Sequence, residues 1–96
     1  MAERKEIPLY RGLVKYFPDA LEAVAHTSFV GNEQHHPGSE LHWDKPKSAD
    51  HPDALLRHMA DHASGTELDD DGIPHLYKVA WRALAWLQTE IESGKL

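Results

Sequence analysis

The feature that most constrains this chain is its punctuation: proline and glycine stand where they leave room for three helices. Pro18-Asp19 opens the first segment, because proline loses no hydrogen bond in the first helical turn. Leu21, Val24, Ala25 and Ser28 then share one face at helical spacing. Gly31 threatens this helix, and Pro37-Gly38 ends any continuation. Residues 37–49 read as a long loop rich in Pro, Gly, Ser and charge, with Trp43 inside it, too large to sit in water without a reason. A second helix is expected from a cap at Ser48 or Asp50, with Pro52 in its first turn, to about Ala63, where Ser64-Gly65 stops it. Asp69-Asp70-Asp71-Gly72 reads as a turn whose acids suit the positive end of the next helix dipole. The third helix begins near Ile73-Pro74 and runs to about Glu92, with Gly94 just beyond.

The third helix carries Leu76, Val79, Ala80, Ala83, Leu84, Leu87 and Ile91. That arc is wider than one neighbour needs. It predicts contact with two helices of the same chain, or with a second subunit. Residues 1–17 mix charge with Ile7, Leu9, Leu13, Val14, Tyr16 and Phe17, and are expected to form an arm or a short turn of helix that packs its apolar side onto the body. No alternating stretch competes, so no strand is expected. The expected fold is all-α and a single domain over 1–96, with an arm (1–17) and a helical body (18–96). At 96 residues the core is modest, so a homodimer or larger assembly is expected to complete the bundle.

The net charge of -6 argues against DNA or RNA as partner, because a phosphate backbone wants a basic surface. It leaves room for a small phosphate ligand, which needs a few local cations. Cysteine is absent, so disulfides and thiolate metal sites are excluded. No apolar run approaches bilayer length. Met1-Ala2-Glu3-Arg4-Lys5-Glu6 is charged and leads into no apolar segment, which points to a cytoplasmic location. No Walker loop, Gly-x-Gly-x-x-Gly or Gly-x-Ser-x-Gly elbow is present.

All eight histidines lie between His26 and His75. On the first helix Glu22, His26 and Phe29 form a stripe, joined by Glu33 if the helix continues through Gly31. Such carboxylates can hold Mg²⁺ or Mn²⁺, which want oxygen ligands. The plainer reading is a solvated flank. On the second helix His58 and His62 are four apart, a spacing that can share zinc. The segment His58-Met59-Ala60-Asp61-His62 lacks the glutamate that a zincin needs, and a half-buried, hydrogen-bonded histidine is the plainer fate. Arg57 and Asp61 are close enough on the other side of this helix to pair. On the third helix His75, Lys78 and Arg82 share a flank beside Val79 and Trp86. Arg gives bidentate contacts and Lys a point charge, so a triphosphate would suit this set. An ordinary polar flank is the alternative.

Four blocks in order carry a resemblance: Tyr16 through Ala25, the loop from Gly31 to Trp43, the Ala54-Leu55-Leu56-Arg57-His58 helix, and Asp69 through Leu87. Together they resemble the phage-associated family of dATP/dGTP diphosphohydrolase N-terminal domains, over roughly residues 16 to 92. The resemblance implies an all-helical protein that cleaves a purine deoxynucleoside triphosphate to monophosphate and pyrophosphate with Mg²⁺. Arg57, His58, Asp71 and His75 match its motif blocks. The chain departs from the paired Glu-x-x-Glu and Glu-x-x-Asp motifs of the all-α pyrophosphatases of MazG type, since Ala25 stands three residues after Glu22. On this reading Glu22, Glu33, Asp70 and Asp71 are the candidate metal ligands. Arg57, Lys78, Arg82 and Trp43 bind substrate, and His58 or His75 carries a proton or donates to phosphate. Two alternatives stand beside it: a non-catalytic accessory domain that binds a nucleotide or protein partner, and a histidine-based transition-metal binder. His35, His36, His42 and His51 receive no role.

Overall fold

The computed structural model describes residues 2–96. Its α-helices are α1 (Pro18–His35), α2 (His51–Ala63) and α3 (His75–Glu92). The segment ahead of α1 holds a 3₁₀ turn at Arg4–Glu6 and a π-helical turn at Tyr10–Val14, and a further 3₁₀ turn at Lys45–Lys47 lies in the loop before α2. Among the described residues there is no strand beyond one isolated bridge between Leu68 and Pro74. The fold is all-α, as the punctuation predicts. No helix among the described residues is long and apolar enough to cross a membrane.

Gly31 does not end the first helix, which continues to His35. A glycine inside a helix costs about 1 kcal/mol. Tethers on the last turn offset that cost. Asn32 is buried, its amide donates to the Ser39 carbonyl at 3.2 Å, and its carbonyl oxygen accepts the His42 N–H at 3.4 Å. Gln34 donates to the Asp71 carboxylate at 3.0 Å. Asp50 does occupy the N-cap of α2, yet makes no capping hydrogen bond, and its carboxylate instead accepts from Arg82 at 3.2 Å. Asp61 pairs not with Arg57 but faces His75, 3.7 Å away.

α3 is the strut of the molecule. α2 lies antiparallel to it, with His51 beside Trp81 and His58 beside His75. α1 is antiparallel to α3 as well: Trp81 Nε1–H donates to Ser28 Oγ at 2.7 Å, and the Gln34–Asp71 bond ties the other end. α1 and α2 each pack on α3 and not on one another. The two-helix contact expected of α3 is therefore made within the chain, and it leaves a gap between the outer helices.

The buried apolar core is thin, consisting of Ala54, Ile73 and Ala85. Leu76, Leu84, Leu87 and Ile91 of α3 remain about half exposed. The arm does not pack as expected. Ile7, Leu9, Tyr10, Tyr16 and Phe17 are each at least half exposed. Among the helices the π-helical turn meets α1 alone, and a single helix offers no groove to fill. The accessible surface is 7388 Å², against about 5600 Å² for a compact monomer of this mass. The radius of gyration, 14.8 Å, likewise exceeds the roughly 12.5 Å of a compact chain of this length.

The Gly31 position allows a direct check of helix continuity. A Cβ added there meets nothing within 4 Å. Gly31→Ala is expected to stabilise the fold by about 0.5–1 kcal/mol, raising Tm by a few degrees in a thermal melt. An unchanged or lower Tm would contradict an uninterrupted α1.

Candidate functional site

The gap between α1 and α2 is a cleft of about 610 Å³, floored by α3 and roofed by the loop that joins α1 to α2. Its size falls in the range of small-molecule sites. Lys47, Lys78 and Arg82 line it, against the carboxylates Asp44 and Asp71. Three cations thus border one concavity, each with a carboxylate partner within 4 Å. His35, His36, His42 and His58 add ring nitrogens, and Trp43 and Trp81 add aromatic surface.

The roof is held from both sides. Asn32 pins its first half, as described above. Arg82 pins the second, with Nη1 donating to Ser48 Oγ at 3.3 Å and to Asp50. The same Nη1 donates to His51 Nδ1 at 3.0 Å, which leaves the His51 proton on Nε2. Burial, and then the Arg82 charge, lowers the His51 pKa below its usual value. Trp43 stacks edge-on against Trp81 with centroids 5.6 Å apart, and His51 completes the cluster. Trp43 Nε1 and His51 Nε2 are buried without a hydrogen-bond partner. Lys45 sits over the Trp43 ring at 4.9 Å and reaches Glu92 at 2.9 Å, which fastens the loop to the end of α3.

At the other end of the cleft the turn before α3 folds back on itself. The His75 N–H donates to the Glu67 carbonyl at 2.8 Å and the Asp69 N–H to the Ile73 carbonyl at 2.9 Å. Gly72 takes a φ of +81°, a backbone state that favours glycine, and lets the turn close. Lys78 rises one turn into α3 and its ammonium bridges Asp69 at 2.6 Å and Asp71 at 2.7 Å. Burial pushes the Asp71 carboxyl up. Hydrogen bonds from Lys78, the Ile73 N–H and Gln34 together outweigh it and hold the group down at about 2. The Lys78 hydrogen bond is the main cause that lowers Asp69. Burial alone would lower Lys78, but its two carboxylate partners raise it.

His58 and His75 meet beside this turn, Nδ1 to Nδ1 at 2.8 Å. His75 is 3% exposed. Asp61 lies 3.7 Å from its Nε2, which favours the tautomer protonated there, with Nδ1 accepting the His58 Nδ1–H. Burial is the main cause that lowers the His58 pKa.

The structure brings together part of the expected set. Trp43, His58, Asp71, Lys78 and Arg82 line one cleft, and His75 lies directly behind His58. Arg57 is exposed on α2 and does not line it. Glu22, His26, Phe29 and Glu33 do form one stripe on α1, and the whole stripe faces solvent. Glu22 and Glu33 stand about 16 Å apart along the helix axis, too far to share an ion. Asp70 is exposed. Among the described residues the group of three within ligand reach of one ion is His58, Asp69 and His75, which contains none of those four acids. Sequence reasoning missed Asn32, Lys47, Asp69 and Trp81. Trp81 lies on α3 next to Arg82 and was open to the same flank arithmetic. The other three depend on where the loop and the turn fold back.

The chain is an all-helical domain with a cation-bearing, aromatic-flanked cleft between two of its helices. Residues 3–96 match the family described as dATP/dGTP diphosphohydrolase, N-terminal, and the chain belongs to that family. No curated protein and no solved structure matches it. The family description sets the chain in the context of nucleotide hydrolysis.

The Asp71 carboxylate gives the site a pH signature. Its pKa falls from 3.8 unfolded to about 2 folded. The corresponding stabilisation, about 2 kcal/mol, is complete above pH 4 and is lost as pH falls through the folded value. Between pH 6 and pH 2, urea titrations are expected to show a loss in the wild type that exceeds the loss in Asp71→Asn by about 2 kcal/mol, since Asp69 titrates in both proteins. Equal losses in both proteins would remove Asp71 from the account.

Proposed function

We propose that this chain is a nucleotide pyrophosphohydrolase. It takes a purine deoxynucleoside triphosphate into the cleft between α1 and α2 and cleaves it to monophosphate and pyrophosphate. The observation that carries this reading is the convergence of Lys47, Lys78 and Arg82 with the Trp43–Trp81 pair on one cleft in a chain of net charge -6. Family membership supports the substrate class.

In this reading the cations oppose the phosphate charge, with Arg82 as the fork donor and Lys47 and Lys78 as point charges. The tryptophan faces offer a stacking surface for the base. Water attacks the α-phosphorus, the bond from that phosphorus to the bridging oxygen breaks, and pyrophosphate leaves with the bond's electrons. His58, which lines the cleft, is placed to take the proton from water, with His75 and Asp61 behind it. Mg²⁺ or Mn²⁺, if bound with the triphosphate, would neutralise part of its charge, with Asp71 as the one expected ligand at the cleft. The chain's own acids do not gather to cage a hard cation, which wants several oxygen ligands at once. Asp71 alone of the four expected ligands lines the cleft, and Lys78 already neutralises it.

The same reading includes self-association. The surplus surface and the half-exposed apolar side chains of α3 and the arm are what a second copy would cover.

The test is a panel of deoxynucleoside triphosphates with Mg²⁺ or Mn²⁺, scored for pyrophosphate and monophosphate. dATP and dGTP are expected to turn over. Lys47 is mostly exposed and its contact to Asp44, 3.8 Å, is long, so its removal spares the fold. Lys47→Ala is expected to raise KM roughly tenfold through one lost charged contact. No turnover of any nucleotide by folded protein would sink the catalytic reading. Calorimetric binding of dATP or dGTP in its absence would favour the accessory-domain alternative.

A further inference from the structure

We infer that His58, Asp69 and His75 form a binding site for one borderline divalent transition-metal ion of the zinc type. One ring nitrogen each of His58 and His75 and an Asp69 carboxylate oxygen lie within 4.8 Å of one another. The two Nδ1 atoms are 2.8 Å apart. Two imidazoles bound to one zinc ion at about 2.0–2.1 Å have nitrogens roughly 3.3 Å apart in a tetrahedral site. The pair therefore needs to open by only about half an ångström.

The surroundings fit as well as the distances. A ligating histidine commonly gives its second N–H to a carboxylate, which fixes ring and tautomer. Asp61 stands opposite His75 Nε2 in that position, 3.7 Å away. His75 Nδ1 thus already presents a lone pair. His58 presents one after a tautomer shift that moves its proton from Nδ1 to Nε2, with no net proton change. Asp69 keeps free lone pairs, because its oxygens accept only from Lys78 and the Asp70 N–H. Two nitrogens and one oxygen suit Zn²⁺ or Co²⁺ and disfavour Mg²⁺. Three protein ligands beside an open cleft leave a position for water. A bound ion and proton acceptance by His58 exclude each other, since the ion takes the lone pair route that the ring pair shares.

This site does not rest on the nucleotide reading, since occupancy is measured without nucleotide. Protein purified without an affinity tag and stripped by chelator is titrated with ZnCl₂, CoCl₂ and MgCl₂. One Zn²⁺ per chain is expected at micromolar Kd or tighter, Co²⁺ is expected to give the visible bands of a four- or five-coordinate site, and Mg²⁺ is expected not to compete. His58→Ala and Asp69→Asn should each weaken Zn²⁺ at least tenfold, with folding checked by circular dichroism. His36 and His42 stack at 4.2 Å in the loop and are the rival ligands. The double variant His36→Ala/His42→Ala should leave binding unchanged. Ring ¹⁵N spectra should show Zn²⁺ shifts at His58 and His75, a readout independent of any variant that fails to fold. Stoichiometric binding that survives His58→Ala, binding lost in the loop variant, or no Zn²⁺ binding at millimolar concentration would each overturn the site.

Discussion

The outer helices of this domain meet only through α3. Trp81 reaches across to Ser28 of α1, and the next residue, Arg82, reaches back to His51 and Asp50 of α2. Two adjacent side chains on one helix therefore set the spacing of the other two. Because α1 and α2 do not touch, the space between them is not filled by core side chains. The cleft is a direct product of that packing constraint. Its cost is the thin apolar core.

The electrostatics of the site follow from a similar economy. Lys78 is tied to two carboxylates, and Arg82 to a serine, a carboxylate and an imidazole. Each cation is aimed by its partners rather than left to wander, Lys78 by the turn before α3 and Arg82 by the stretch that leads into α2. An incoming phosphate would share those cations with their acids rather than replace the acids. Lys47 differs, with one long ionic contact and most of its side chain in water. The cleft therefore combines fixed charge at its floor with adaptable charge at its roof.

Helix positions were legible because proline and glycine act locally. The starts of α1, α2 and α3 and the ends of α2 and α3 fall within a residue or two of the sequence reading. Gly31 misled because its local cost is overridden by tertiary tethers on Asn32 and Gln34. On the site, flank arithmetic brought out Lys78, Arg82, His58 and His75. It could not tell which flank faces inward, and so it gave Glu22 and Glu33 the same weight as Asp71. Asp69 lay in plain view in the acidic turn. Its place beside His75 depends on the Leu68–Pro74 bridge, which periodicity does not encode. The arm's exposed apolar residues show the same limit, since an apolar side identifies something to cover and not what covers it.

The arrangement of the two helix pairs also orders how the molecule comes together. α2 and α3 are joined by residues 64–74, and their contacts, such as His58 to His75, 17 residues apart, are nearer in sequence than those of α1 with α3. Closing that hairpin costs little chain entropy. The contacts of α1 with α3 span far more of the chain, as Ser28 to Trp81 shows. Contacts of that separation are slower to form. The hairpin, with its histidine pair, is the more local unit of the fold, and α1 joins it through contacts of longer range. The cleft therefore has one wall built into the hairpin and one wall brought in from far along the chain.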